Sequence, residues 1–360
     1  MSEQIRQIIP SPNGQLLAIV TSHTVHIGIL PDSSHLGQAD TSPIRLKTHT
    51  LGPTTHVLSQ PAVASALWHP LGVGANCLVT INAEAVVRVW ETSRESRWSY
   101  DSPTLTIDLR KLVDGKSQED DFGVLGLGRN RGFSADAIEM EVASACFGGK
   151  GTAEEHGWAS MTLWVAMKEG DVYALCPLLP TKWQPPPTLI PSLSTAVVSK
   201  VAQQEHDSVT ADEKRRSDQQ YQWISEIDSQ DPTITLGESE YGDEVEIFHR
   251  PAQPGPIPRL QGPFEILPDD SEEYLEISDI HVIAAKVDLD ELMFGEDDES
   301  DLDSTNQDQL SAAMICLSTT NGRVYICLDL EGVEGQWLPT KRVSRIGVDC
   351  QKVYVLTFVF

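Results

Sequence analysis

Residues 77–91 read Cys77-Leu78-Val79-Thr80-Ile81-Asn82-Ala83-Glu84-Ala85-Val86-Val87-Arg88-Val89-Trp90-Glu91, two strand-forming runs around the polar turn Asn82-Ala83-Glu84. Runs rich in β-branched residues, joined this tightly, make an antiparallel hairpin. The pattern recurs. His23-Thr24-Val25-His26-Ile27, Gly170-Asp171-Val172-Tyr173-Ala174 and Gly322-Arg323-Val324-Tyr325-Ile326 each open a second strand, after first strands at Leu16–Thr21, Thr162–Met167 and Met314–Ser318. Their turns are Ser22-His23, Lys168-Glu169-Gly170-Asp171 and Thr319-Thr320-Asn321-Gly322, and the closing Asn-Gly predicts a type I′ turn.

Further strands flank these hairpins. Val63–Pro70, Val142–Phe147 and Ile280–Leu289 precede three of them, the first two sharing Val-Ala-Ser-Ala, and Leu105–Leu109 supplies an outer strand. Repeated antiparallel sheets of this kind are propeller blades, so the expected fold is all-β, a β-propeller forming one domain over 1–360. About four to five blades are expected: 1–60, 61–112, 138–182, 256–338 and the start of another at 343–360. Val353–Phe360 is a bare apolar strand, and an unpaired edge invites aggregation, so the chain is expected to be a shortened or partial propeller.

Long excursions separate the blades. Gly115–Ala137 reads as a Gly-rich polar loop and Pro180–Pro191 as a second loop around Trp183-Gln184-Pro185-Pro186-Pro187. A helical insertion is expected at 196–228, with Val201, Tyr221, Ile224 and Ile227 as its apolar positions beside Lys214-Arg215-Arg216. Exposed aromatics there would anchor a partner, so Tyr221, Trp223, Ile224 and Ile227 are the candidate partner-binding residues. Trp68, Trp90 and Trp164 fall within strands, where blade packing is their expected role.

The composition limits what such a chain does. A hydrophobic share of 40% over 360 residues suits a folded protein, and the formal net charge is −27. Between Asp231 and Gln309, 23 acidic residues face three basic ones, a local charge of −20. Such a field repels nucleic-acid backbones, so no direct nucleic-acid binding is expected. An acidic loop at 290–309, centred on Glu296-Asp297-Asp298-Glu299-Ser300-Asp301, is expected to be solvated. Met1–Gly14 lacks the charged-then-apolar layout of a signal peptide, and Val353–Phe360 is far short of the ~18 residues that spanning requires. Neither secretion nor membrane insertion is expected.

No catalytic, cofactor-binding or metal site is predicted. Cys77, Cys146, Cys176, Cys316, Cys327 and Cys350 form no CxxC pair and read as reduced, small hydrophobes. His23 and His26 point to opposite sides of a strand with no third ligand nearby. Gly123–Gly132 lacks the Lys-Ser/Thr of a phosphate loop, and Asp297, Asp298, Glu299, Asp301 and Asp303 lack the glycine and final Glu of an EF-hand.

Two stretches resemble WD40-type sequence: Ser11-Pro12-Asn13-Gly14, like an inter-strand Ser-Pro-Asp-Gly turn, and Val87-Arg88-Val89-Trp90-Glu91, like a Val-x-Val-Trp-Asp strand ending. The Gly-His dipeptide of that type is missing, which marks a degenerate propeller. Pro12–Val20 with His23-Thr24-Val25-His26 and Leu30-Pro31, then Thr41–Lys47, then Leu67–Gly72 through Val87–Glu91, resemble the N-terminal propeller of fungal nucleoporins of the eighty-two/eighty-eight family. The resemblance is specific to about Leu112. It implies a seven-bladed propeller followed by coiled coils, and a non-enzymatic scaffold on the cytoplasmic face of the nuclear pore complex. The implied partners are a Phe-Gly-repeat nucleoporin and mRNA-export factors. This chain departs from the family by lacking a heptad region. Two other readings remain open: a WD40-type adaptor in an unrelated complex such as a ubiquitin ligase, and, more remotely, a propeller hydrolase.

Overall fold

Alternation of buried and partly exposed residues along its second strand sets the first sheet. In the computed structural model, β1 (Gln7–Pro10), β2 (Leu16–Val20), β3 (Val25–Ile29) and β4 (Lys47–Leu51) pair antiparallel in that order. The register places Val20 opposite Val25 and Ala18 opposite Ile27, so Leu16, Ala18 and Val20 share a buried face with Val25 and Ile27. A slip of one residue would turn that whole set outward. The β1–β2 turn holds Ser11 N–H on Leu16 O at 2.8 Å, and Gly14 supplies the φ of +70° that closes it.

The second sheet consists of β5 (Val63–Trp68), β6 (Cys77–Asn82), β7 (Val86–Glu91) and β8 (Leu105–Asp108) in sequence order, followed by the short helix α1 (Leu109–Val113). Every residue of β6 is buried, as a strand covered on both faces must be. Leu16, Ala18, Val20, Val25, Ile27 and Leu51 of the first sheet form one core with Val63, Ala66, Trp68, Leu78, Trp90 and Tyr100. Val63 N–H on Ser22 O (2.8 Å) and Trp68 Nε1–H on Ile9 O (3.1 Å) tie the two sheets together.

Next along the chain come β9 (Val142–Phe147), β10 (Leu163–Met167), β11 (Val172–Leu175) and β12 (Lys182–Trp183). They are followed by helices α2 (Leu189–Gln204) and α3 (Ala211–Asp228), then β13 (Thr233–Leu236), β14 (Glu244–His249) and β15 (Leu260–Gln261). The third sheet has the order β15-β11-β10-β9, and β12-β14-β13 form a separate three-stranded sheet. β16 (Ile277–Ala284), β17 (Ala313–Thr319), β18 (Val324–Asp329) and β19 (Tyr354–Leu356) make the last.

The structure describes residues 3–31, 45–93, 96–113, 140–149, 157–204, 210–236, 244–264, 275–284, 313–329, 332–338 and 354–356. The loops expected at 115–137 and 290–309 lie outside them. The chain divides into two compact units, one of Met1–Ala145, Leu179–Pro185 and Glu226–Ile257, the other of Cys146–Leu178, Pro186–Ser225 and Pro258–Phe360.

The strand partners depart from the sequence reading in three places. The third blade does not end near residue 182: β12 pairs with β14, seating the fully buried Trp183 opposite Phe248, and the outer strand beside β11 is β15. Leu260–Gln261 therefore belong with the third sheet, and Pro258 bridges to Trp337, so no blade opens at 256. Of residues 343–360 the described ones, β19, pair with Ile326–Leu328 of β18 and so extend the last sheet rather than opening another.

Helix begins earlier than 196 and comes in two pieces. Pro191 reads as a loop residue, yet it sits in the first turn of α2, where backbone N–H groups have no helical acceptor to lose.

The Asn321-Gly322 turn is not type I′. Gly322 N–H donates to Thr319 O at 3.1 Å with φ +82°, while Ala75 and Ala85 are the non-glycines with positive φ among the described residues. The geometry is a type I turn followed by one left-handed residue. It recurs as Gly170 on Met167 O (φ +107°) and Ala85 on Asn82 O (φ +61°).

Candidate docking surface

The helical insertion packs by two buried stripes, an apolar one on α2 and a mixed polar and apolar one on α3. On α2, Leu189, Leu193 and Val197 recur every fourth residue and are buried, with Leu193 packed over Gly157, where a Cβ would lie 3.1 Å from it. α3 begins with a capping box. Thr210 N–H and its hydroxyl donate to Glu213 Oε2 at 2.9 and 2.8 Å, and Glu213 N–H returns to the hydroxyl at 3.3 Å. These bonds from Thr210, backbone first, hold the Glu213 carboxyl below the usual range.

The buried stripe of α3 runs Ser217, Gln220, Ile224 and Ile227, with Trp223 beside it. Gln204 Nε2 donates to Ser217 Oγ at 2.7 Å, pinning the helices together. Gln220 Nε2 donates to Glu334 Oε2 (3.1 Å) and Gly335 O (3.0 Å), and Lys200 pairs with the same Glu334 carboxylate. Trp223 completes an aromatic cluster with Trp158 (5.2 Å between centroids) and Trp337 (6.1 Å). Gly335 is required there, since a Cβ would come within 2.6 Å of the Trp158 ring. The 332–338 segment thus clamps the insertion from outside the helices.

This clamp changes the standing of the four predicted anchor residues. Trp223 and Ile224 are each 1% exposed and Ile227 is 0% exposed, so they hold α3 in place and offer nothing to a partner's surface. The structure brings these three onto one buried face and leaves Tyr221 apart from them. Tyr221 is 49% exposed, on an outward face with Lys214, Asp218 and Gln222, while α2 presents the 47% exposed Val198. The sequence held a usable signal in the spacing 217-220-224-227, but two of those positions are polar. Trp158, Glu334, Gly335 and Trp337 carried no local signal, because they reach the helix only through the fold.

Elsewhere the candidate ligands are occupied with ordinary bonds. His23 Nδ1 contacts Glu3 Oε1 at 3.1 Å, and His26 lies between the hydroxyls of Thr24 (3.1 Å) and Thr50 (3.2 Å). Among the described residues no three His, Cys, Asp or Glu side chains are grouped to hold a metal ion, and no helix is long and apolar enough to cross a membrane. Cys77, Cys146, Cys176, Cys316 and Cys327 are free thiols, all pushed upward by burial, Cys327 to about 12.

The family model described as nucleoporin NUP82 beta-propeller matches residues 1–359. Nucleoporin NUP82 of Chaetomium thermophilum is 51% identical over 350 residues, covering 96% of this chain and 39% of that protein. Nucleoporin nup82 of Schizosaccharomyces pombe is 23% identical over 313 residues, covering 76% of this chain and 35% of its relative. The chain therefore spans roughly two fifths of the length of these relatives.

Among solved structures, the C. thermophilum Nup82 NTD–Nup159 TAIL–Nup145N APD complex matches with a TM-score of 0.81 and 47% identity, over 100% of this chain and 64% of the matched one. The yeast Nup82–Nup159–Nup116 complex matches with a TM-score of 0.58 at 14% identity, over 98% of this chain and 65% of that one, a likeness of fold alone.

Proposed function

The chain belongs to the nucleoporin NUP82 β-propeller family, and from that premise we propose that it is a structural scaffold of the cytoplasmic face of the nuclear pore complex. Its work is to hold other nucleoporins, of the Nup159 and Nup145N or Nup116 kinds, and through them to support mRNA export. The observation that carries this reading is the 51% identity to the Chaetomium protein across 96% of this chain, together with the match to the heterotrimeric Nup82 NTD–Nup159 TAIL–Nup145N APD complex. The reading includes no catalysis.

Physically, packed antiparallel sheets are stiff, so excursions from them hold a fixed position. The paired helices α2 and α3 are such an excursion, and their outward face with Tyr221 is the docking face in this proposal. A half-exposed tyrosine on a clamped helix contributes contact area at small entropic cost. Affinity purification of the tagged protein tests the function: recovery of pore nucleoporins supports it, and recovery of ubiquitin-ligase subunits without them overturns it. For the face, Tyr221→Ala is expected to weaken capture of at least one nucleoporin severalfold without loss of fold. Unchanged recovery of every partner would remove it.

A further inference from the structure

The sheet β12-β14-β13 ends in an open strand: β14 covers one edge of β13, and among the described residues no strand pairs with the other. Thr233, Ile234 and Thr235 are exposed, Ile234 at 59%, in a strand that carries no charge. Such an edge is a template for another chain, and natural proteins commonly guard one with lysine, proline or a bulge. β13 has none of the three. The backbone groups it offers follow from Gln230, whose side-chain amide donates to His249 O at 3.0 Å and accepts from His249 N–H at 2.9 Å. Arg250 N–H turns the other way, to Thr181 O at 2.9 Å, so the groups of His249 face away from β12. Direction alternates along a strand, so Val245 and Ile247 bond to Thr235 and Thr233, while Ile234 and Leu236 turn N–H and C=O to the open edge.

The hairpin also carries one sign of charge. Its register sets Glu246 opposite Ile234, and Glu244 shares that face two residues away; both are exposed, as is Asp231. No Lys or Arg occurs between Asp231 and His249. The basic residues that pairing brings to this sheet are at its other end, Lys182 opposite His249 and Arg250 after it. Arg250 donates to Leu179 O at 2.8 Å, and both lie by the Glu91 carboxylate, which accepts Lys182 N–H at 3.3 Å and Thr181 N–H at 2.6 Å. A second copy of the chain would set like charges against each other along this edge, whereas a basic strand is complementary to it.

We propose that β13 accepts a basic, extended protein segment as the fourth strand of this sheet. The backbone of that segment pairs with Ile234 and Leu236, and one of its apolar side chains covers Ile234. Lysines or arginines at alternate positions extend over β13 toward Glu244 and Glu246. Backbone pairing supplies the affinity, and the acidic face rejects acidic strands and self-pairing. The inference goes beyond the scaffold reading and stands or falls without it.

The test places p-benzoylphenylalanine at position 233 of the tagged full-length protein. Its native assemblies are purified and irradiated, and the attached segment is read by mass spectrometry. The expected product is a segment of another protein in which Lys or Arg alternates with apolar residues, whatever complex that protein belongs to. Ile234→Pro deletes the outward N–H and spares the ladder to β14, so the yield should fall severalfold with the melting temperature unchanged. Ile234→Val keeps the donor and should keep the yield. Reversing the exposed pair, Glu244→Lys with Glu246→Lys, should also lower it severalfold, and decides the matter if the proline variant is unstable. An acidic segment, a second copy of this chain, no product, or a yield that charge reversal leaves unchanged would each overturn the proposal.

Discussion

His56 shows how one residue ties two sheets together. A carbonyl only accepts, so the 3.0 Å contact with Leu51 O makes Nδ1 the donor and leaves Nε2 to accept from the Thr80 hydroxyl at 3.2 Å. Trp90 Nε1–H then donates to Thr80 Oγ1 at 2.9 Å, and the chain of bonds is complete only with a neutral imidazole. Burial, helped by the nearby Arg88 charge, lowers the His56 pKa from an ordinary 6.5 to about 4. Between those values the unfolded chain binds a proton that the folded one does not. Stability is therefore whole above pH 6.5 and declines as pH falls toward 4, by about 3 kcal/mol in total. Denaturant titrations across that range should show the decline, and His56→Gln should flatten it while lowering stability at neutral pH. Thr80→Val strands both the Trp90 donor and the His56 acceptor, and is expected to cost about 1–3 kcal/mol by the same measurement. Nothing local to His56 marks this network, since it lies outside any strand and meets Thr80 and Trp90 only in the fold.

At the scale of elements, α3 divides its two faces by consequence. Trp223→Ala removes a ring held between Trp158 and Trp337 and is expected to cost about 3–5 kcal/mol, read from thermal or denaturant unfolding. Tyr221→Ala, by contrast, should stay within about 0.5 kcal/mol in that assay and act on binding alone. Thr210→Ala breaks the capping box and should cost about 1 kcal/mol. Gly335→Ala drives a methyl into the Trp158 ring and should cost about 1–3 kcal/mol, loosening the helix from a segment far along the chain. The hairpins β2–β3, β6–β7, β10–β11 and β17–β18 were legible because turn chemistry and alternation are local. Their outer partners were less so: β15 reaches β11 across an insertion holding two helices and three strands. A strand of two residues has no periodicity to read.

For the whole molecule, the net charge of −27 predicts that homopolymeric RNA will not be retained in filter binding near physiological salt, and retention that weakens with added salt would contradict this. The blade repeats, the all-β class, and the family resemblance carried by Pro12–Val20 and Leu67–Glu91 were all determined by the sequence alone, because each is written in neighbouring residues. Which face of the inserted helix meets solvent, which strand completes each sheet, and where a tryptophan is left bare were decided only by tertiary structure. Burial depends on what arrives from elsewhere in the chain: Trp223 and Trp98 are the same residue type in polar surroundings, and only the presence of Trp158, Gly335 and Trp337 around the first makes one a core residue and leaves the other on the surface.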